Sequence, residues 1–405
     1  MKANKIVSRA LIFLYLVIPY LPLFGEIDRI ASQWFFLSLL NLISLPIVYY
    51  NIPKNDFFKI FRFKPILILC VFITISIFSM VDTINIVESS VEFFRHSSVL
   101  LAIINFTQLL SLSRKNLHFL LILLTCFCCV ELFGLIAQSI QGLPLIGFTG
   151  NKNIASASLI IKSNFLLYLI FRYNNPFVKV LVTFILITIY SIIFIIGSKA
   201  GLVSLVLISL ILIVIVLYDR NLYKLGLISL FGIFFSFIIS SQFNKNIYIT
   251  IDNTINYAND EGSTDRIRYF NQAFDAFLNN PINGVGIGNW KIYSNFYDSK
   301  YMRNYVVQYH THNDYLQFFA EIGFGAISYL LFILFIIFMT LKIIVYGNNY
   351  YSKINKQYSL IILLGISIYF LDSNLNFPSA RVIMQLNLII LISFLYRVFN
   401  DTMKS

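Results

Sequence analysis

Two residues in one polar stretch could do chemistry together. The chain has four histidines, His96, His118, His310 and His312, and the last two fall in the run His310-Thr311-His312-Asn313-Asp314. An imidazole whose ordinary pKa is about 6.5 accepts a proton at neutral pH, so His312 is a candidate general base for a hydroxyl nucleophile. The plainer alternative is a solvated loop histidine. A His310–His312 metal pair lacks the carboxylate or thiolate cluster that would complete it, and no metal is expected. Arg266 falls in the first turn of a helix expected from Ser263-Thr264-Asp265, whose side-chain oxygens can cap free amides. A cation there opposes the helix dipole. Free amides and a bidentate donor at one helix end nevertheless suit an oxyanion or a pyrophosphate. The alternative is an exposed surface arginine. Arg268, two residues on, belongs to a different face.

Four further cations, Arg95, Lys162, Lys199 and Arg381, lie within or at the ends of apolar runs. Ionisable groups in such places face a cavity or a partner, or snorkel to the interface. Asp372 and Glu131 are possible counter-charges or proton-path residues. Gly284-x-Gly-x-Gly has no strand before it and no helix after it in a βαβ unit, so it reads as a flexible turn rather than a dinucleotide fingerprint.

The elements that must carry these residues are nearly all hydrocarbon. Of 405 residues, 58% are hydrophobic and 12% charged, against about 45–50% and about 25% in average soluble domains. Phe (41) and Tyr (25) are abundant, as lipid-facing surfaces and interfacial belts require. The net charge of +12 is scattered between apolar runs. That pattern marks topology signals and argues against nucleic acid. The four cysteines, Cys70, Cys126, Cys128 and Cys129, all lie in apolar runs, where a thiol is a small hydrophobe. Lys2, Lys5 and Arg9 precede the first run as in a signal anchor, and no small-x-small cleavage pattern follows.

Twelve stretches approach the roughly 20 apolar residues of a span: 6–24, 30–50, 65–81, 93–112, 117–140, 153–171, 177–197, 200–218, 222–241, 318–341, 359–377 and 381–399. With a cytoplasmic N-terminus, the cytoplasmic connections hold 18 of the 30 Lys and Arg, the short external ones five and the large loop six. Long loops translocate largely regardless of charge, so both termini are expected in the cytoplasm and the loop, residues 242–314, on the other side. Within it, Ile267, Phe270, Phe274 and Phe277 recur at helical spacing, and Asn280-Pro281 ends that helix. A second helix is expected from Asn313 into the tenth span, protruding from the membrane or breaking at Gly323-Phe324-Gly325. No repeat or linker divides the chain. Residues 1–405 thus read as one all-α integral membrane domain, with about 12 transmembrane helices and one large, partly helical loop between helices 9 and 10.

Several landmarks occur in order: Gly150-Asn151-Lys152-Asn153, Gly197-Ser198-Lys199-Ala200-Gly201, Arg266 with Asn280-Pro281-x-x-Gly284-x-Gly286-x-Gly288, and His312-Asn313-x-x-Leu316-Gln317-x-x-x-Glu321-x-Gly323. Together they resemble the O-antigen ligase and polymerase family of bacterial membrane glycosyltransferases. The resemblance implies a multi-pass protein of the inner membrane with a periplasmic active site. It implies inverting transfer of a glycan from undecaprenyl pyrophosphate, with neither metal nor other cofactor. His312 resembles the base that activates the acceptor hydroxyl, and Arg266 the principal pyrophosphate clamp, assisted by Arg95. Lys199 stands where the family commonly has arginine, which keeps the charge and loses the bidentate fork. Arg268, Asn313 and Arg381 are counted with them as substrate contacts. The acceptor is expected to be lipid A-core, making the protein a ligase, or a lipid-linked repeat unit, making it a polymerase; a protein hydroxyl is a third option. The rival from another class is a lipid-linked oligosaccharide flippase, which would tend to show internal repeats and interrupted spans. No repeat is visible.

Overall fold

The structure, a computed structural model, describes residues 2–22, 29–81, 83–218, 222–243, 251–252, 261–298, 308–350 and 353–402. Among them no strand occurs. A backbone surrounded by lipid must satisfy its polar groups within each segment, and the helix does so locally. In chain order the helices are α1 (Lys2–Val17), α2 (Arg29–Asn51), α3 (Lys54–Lys59), α4 (Lys64–Phe78), α5 (Ile86–Ser111), α6 (Arg114–Ile140), α7 (Lys152–Arg172), α8 (Pro176–Ile196), α9 (Lys199–Tyr218), α10 (Tyr223–Phe243), α11 (Glu261–Asn279), α12 (Trp290–Asp298), α13 (Asp314–Ile322), α14 (Ala326–Tyr350), α15 (Lys353–Leu375) and α16 (Val382–Thr402).

Nine helices among the described residues are long and apolar enough to cross a membrane. They match nine of the twelve expected spans. The other three differ for visible reasons. The first, α1, is short at 16 residues. The third, α4, is bent by 72° from α3, and the two could form one broken span. The ninth lies in α10, whose apolar portion is the short stretch Gly226–Gln242.

The core sits around α7, whose apolar stretch is fully buried, whereas those of α2 and α6 are 39% buried. Small residues permit the close packing that substitutes for a hydrophobic drive inside a membrane. Ser156 of α7, for example, lies where a Cβ on Gly201 of α9 would be 2.9 Å away.

Among the described residues, helices α11 and α12 lie ahead of α13 in the chain. With α13 they enclose a second small core of Ala273, Ala276, Val285, Trp290 and Ala320. Helix α11 begins at Glu261, two residues ahead of the expected cap. The anticipated break occurs: α13 and α14 are separated by a 3-10 turn at Gly323–Gly325.

The glycine-rich stretch 281–289 is a turn, but a pinned one. Val285 N–H donates to Ala320 O (2.9 Å), Gly286 N–H to Glu321 O (2.8 Å) and Phe324 N–H to Pro281 O (2.8 Å). Two glycines make this interlock possible. Gly284 (φ +67°) lies against the Glu321 backbone, and Gly323 (φ +58°) against the carbonyls of Pro281 and Ile282. Neither place has room for a Cβ, and both backbones are left-handed, where only glycine is at ease.

Candidate functional site

The 308–314 loop carries the candidate base in a strained pose. His312 has φ +59° and is the one non-glycine residue with positive φ among those described. Left-handed backbone costs an L-residue roughly 1–2 kcal/mol, and such strain concentrates at functional sites. Its flanks impose the pose. Thr311 Oγ1 donates to Asn313 O (2.6 Å) and accepts from Asn313 N–H (3.1 Å), closing a clasp around His312. Asn313 then caps α13, its Oδ1 accepting from Leu316 N–H (3.0 Å). The Asn313 side chain, expected as a substrate contact, is thus engaged as a helix cap.

The same loop is fastened to the turn Pro378–Ala380 ahead of α16. Ser379 donates twice to the buried Asp314 carboxylate, from its N–H (2.9 Å) and its Oγ (2.7 Å). His310 stacks on Phe377 (4.3 Å between centroids), and His312 meets the same ring edge-on (5.1 Å). The Arg381 guanidinium also lies over Phe377 (5.0 Å). One aromatic ring therefore gathers two imidazoles and a guanidinium.

Electrostatics keep both imidazoles neutral. Burial, with Arg266 adding to it, pushes His312 down to about 4. Burial and the Arg381 guanidinium push His310 down to about 3, against the opposing pull of Glu92. His312 Nδ1 is buried with no hydrogen-bond partner among the described residues. A neutral imidazole beside a guanidinium, with an open acceptor or donor position, can take a proton from an incoming alcohol.

Around this pair stand the other expected cations. Arg266, on α11, acts electrostatically on both His312 and Asp372. Arg95, on α5, bonds Glu92 (2.9 Å) and lies over Trp34 (5.7 Å). Trp34 in turn donates to Ala380 O (3.2 Å), which ties Arg95 to the turn that carries Arg381. Lys199 begins α9 next to Ser198, and a buried chain of side chains connects that turn to Asp372. Ser198 Oγ donates to Asn153 Oδ1 (2.8 Å), Asn153 Nδ2 to Asn376 Oδ1 (3.0 Å), and Asn376 Nδ2 to Asp372 Oδ1 (2.6 Å). His312, Arg266, Arg381 and Arg95 are thus brought together, and Ser198, the residue before Lys199, is linked to them through Asp372. Arg268 pairs with Asp265 (3.3 Å) and lies over the Tyr269 ring (5.1 Å) of its own helix.

Sequence reasoning missed Glu92, Asp314 and Phe377. Glu92 carried a usable signal, since Arg95 and His96 follow it at the i+3 and i+4 spacing of one helix face. Asp314 and Phe377 carried none, because their partners are distant in sequence. The landmark Glu321 is structural: its Oε1 accepts from Trp290 N–H (3.3 Å) and Gln317 Nε2 (3.1 Å), tying α12 to α13.

No curated protein matches the chain. Residues 181–333, which contain Lys199, Arg266 and His312, match the family model described as O-antigen ligase, and the match supports a place among the O-antigen ligases, a family of membrane glycosyltransferases of ligase or polymerase type.

Proposed function

We propose that the protein transfers a glycan from undecaprenyl pyrophosphate to a hydroxyl of lipid A-core at the periplasmic face of the inner membrane. The acceptor oxygen attacks the anomeric carbon and its proton passes to His312. The bond from that carbon to the pyrophosphate breaks with inversion, and the lipid pyrophosphate leaves carrying the electron pair. Arg266 faces the growing negative charge, with Lys199, Arg95 and Arg381 around it. Fixed cations aimed at developing charge are often the largest catalytic contribution. The chain's own cations take this charge, so the mechanism calls for no metal. The loop resting on α5 and α13 limits water, and with it hydrolysis of the donor.

The observation that carries this reading is the strained, neutral His312 beside Arg266, inside the segment that matches the family. The bound donor brings about two negative charges, which oppose Arg266 and raise the basicity of His312 when it is needed. The same chemistry serves a polymerase, in which a second lipid-linked repeat replaces lipid A-core as acceptor.

Reconstituted protein given labelled lipid-linked glycan and acceptor tests the proposal. Release of lipid pyrophosphate with formation of the new glycoside is expected. Movement of the label across the bilayer without bond cleavage would instead make the protein a flippase. His312→Ala is expected to lower turnover by about 10²–10⁴ and Arg266→Ala by about 10²–10³, both with unchanged membrane insertion. A gene deletion that leaves core with no repeat supports ligation, whereas core with a single repeat indicates polymerisation.

A further inference from the structure

Helix α11 has three faces rather than two. At 3.6 residues per turn, Arg266, Ala273 and Ala276 lie on the side that packs toward α13. Arg268 and Asp275 lie on the opposite, polar side. Between them runs an apolar stripe that the protein leaves uncovered: Ile267 is 43% exposed, Phe274 49% and Leu278 57%, and Ile282 just beyond the helix is 78% exposed. A loop helix exposed to water on all its free sides has no reason to keep such a stripe.

The stripe is continuous with a lipid-facing surface. Phe277, at the border between the core side and the stripe, meets Phe324 edge-on (5.2 Å) and Phe319 (5.3 Å). Phe324 is 57% exposed, lies in the turn just ahead of α14 within the apolar stretch Asp314–Tyr346, and begins a row with Leu331 (51%) and Phe338 (58%), which are exposed to the same degree. The α11 stripe therefore adjoins the exposed apolar row of α14 at Phe324. An amphipathic helix in this position lies in the interface with its apolar side about 5–10 Å into the headgroup boundary.

From this the geometry points to a membrane-surface contact: the Ile267–Phe274–Leu278 stripe of α11 is immersed in the adjoining leaflet and holds α11 at headgroup height. The occupant of this face is lipid, argued from its continuity with α14. Arg266, on the neighbouring side of the same helix, is thereby fixed at the level where a lipid-borne anion resides. The contact does not depend on which reaction the site performs.

Depth-dependent quenching tests it. The full chain with Leu278→Trp is reconstituted in phosphatidylcholine–phosphatidylglycerol vesicles, and its emission is read as the difference from wild type, which contains Trp34 and Trp290. Lipids brominated near the top of the acyl chain are expected to reduce this emission to roughly half or less, while iodide on both sides of the vesicle has little effect. Asp275→Trp, on the polar side, is expected to show the reverse. Iodide quenching of Leu278→Trp without bromolipid quenching would overturn the contact. So would shielding from both quenchers, which would mean that a second copy or another protein covers the stripe. If Leu278→Trp fails to fold, Phe274→Trp, an aromatic-for-aromatic change, carries the same readout.

Discussion

Neutrality of His312 is the property on which the residue-scale argument turns. Its folded pKa lies at about 4, below the ordinary value of about 6.5. The base is therefore charge-free throughout the neutral range, and kcat/KM, which reports the free enzyme, is expected to stay level from pH 8 down to about 5 and to fall only as pH approaches about 4. Donor binding places negative charge against Arg266 and raises the imidazole, so the acid limb of kcat is expected at higher pH than that of kcat/KM. Coincident limbs in the two profiles would remove His312 as the base. The same depression links to stability. The unfolded chain binds protons on His310 and His312 between about pH 6.5 and 4 while the folded chain does not, so their contribution is full above about 6.5 and is lost as pH falls toward about 4. Thermal melting in detergent is expected to fall across that window, and the fall should be smaller in His310→Gln. An unchanged acid dependence in that variant would show that the His310 stack on Phe377 does not shield the ring as described.

Element-scale behaviour depends on the interlock of the 281–289 turn with α13 and on the hook from Asp314 to the turn at 378–380. In Gly284→Ala the new methyl meets the Glu321 backbone at a left-handed position. Backbone carbonyls cannot swing away as a side chain can, so the turn must lift. We expect a loss of more than the roughly 1–2 kcal/mol of the left-handed penalty alone, seen as a lower melting temperature and as new protease cleavage between residues 280 and 290. Wild-type resistance to protease would contradict the interlock. Asp314→Ala removes an acceptor used twice by Ser379. A typical hydrogen bond contributes about 0.5–1.5 kcal/mol and a buried donor left unpaired costs about 1–3 kcal/mol, and here the two bonds hold the base against the Arg381 turn, so kcat is expected to fall more than KM rises. Asp314→Asn keeps one acceptor oxygen and is expected to fall between. A rise in KM alone would separate the hook from positioning of the base.

At the scale of the whole molecule, what was legible followed from periodicity and composition. The apolar runs gave nine spans directly, Gly323-Phe324-Gly325 marked the break, and the Ile267–Phe277 spacing marked α11. What escaped was decided by long-range contacts. The left-handed His312 follows from its clasp and docking, Asn153 meets Asn376 across 223 positions, and Asp314 meets Ser379 across 65. No local pattern encodes such meetings. The Lys162–Glu131 pair was half legible: both residues stood out as costly charges within apolar runs, and only the fold joins them. Lys162 lies ten residues inside α7, roughly 15 Å from its end, and bonds Glu131 of α6, while Tyr20 donates to the same Glu131 oxygen (2.6 Å). Their side chains are 5% and 7% exposed, so neither charge can reach water. Breaking a buried pair from one side costs about 3–5 kcal/mol, because the remaining charge is left uncompensated. Lys162→Met and Glu131→Gln are therefore each expected to melt well below wild type, and the double variant to recover most of the loss, with turnover per folded molecule unchanged in all three. If the double variant lost as much as the two single variants together, the pair would not be coupled. If turnover per folded molecule collapsed while melting held, the pair would belong to the reaction rather than to the joining of α6, α7 and the 18–20 turn.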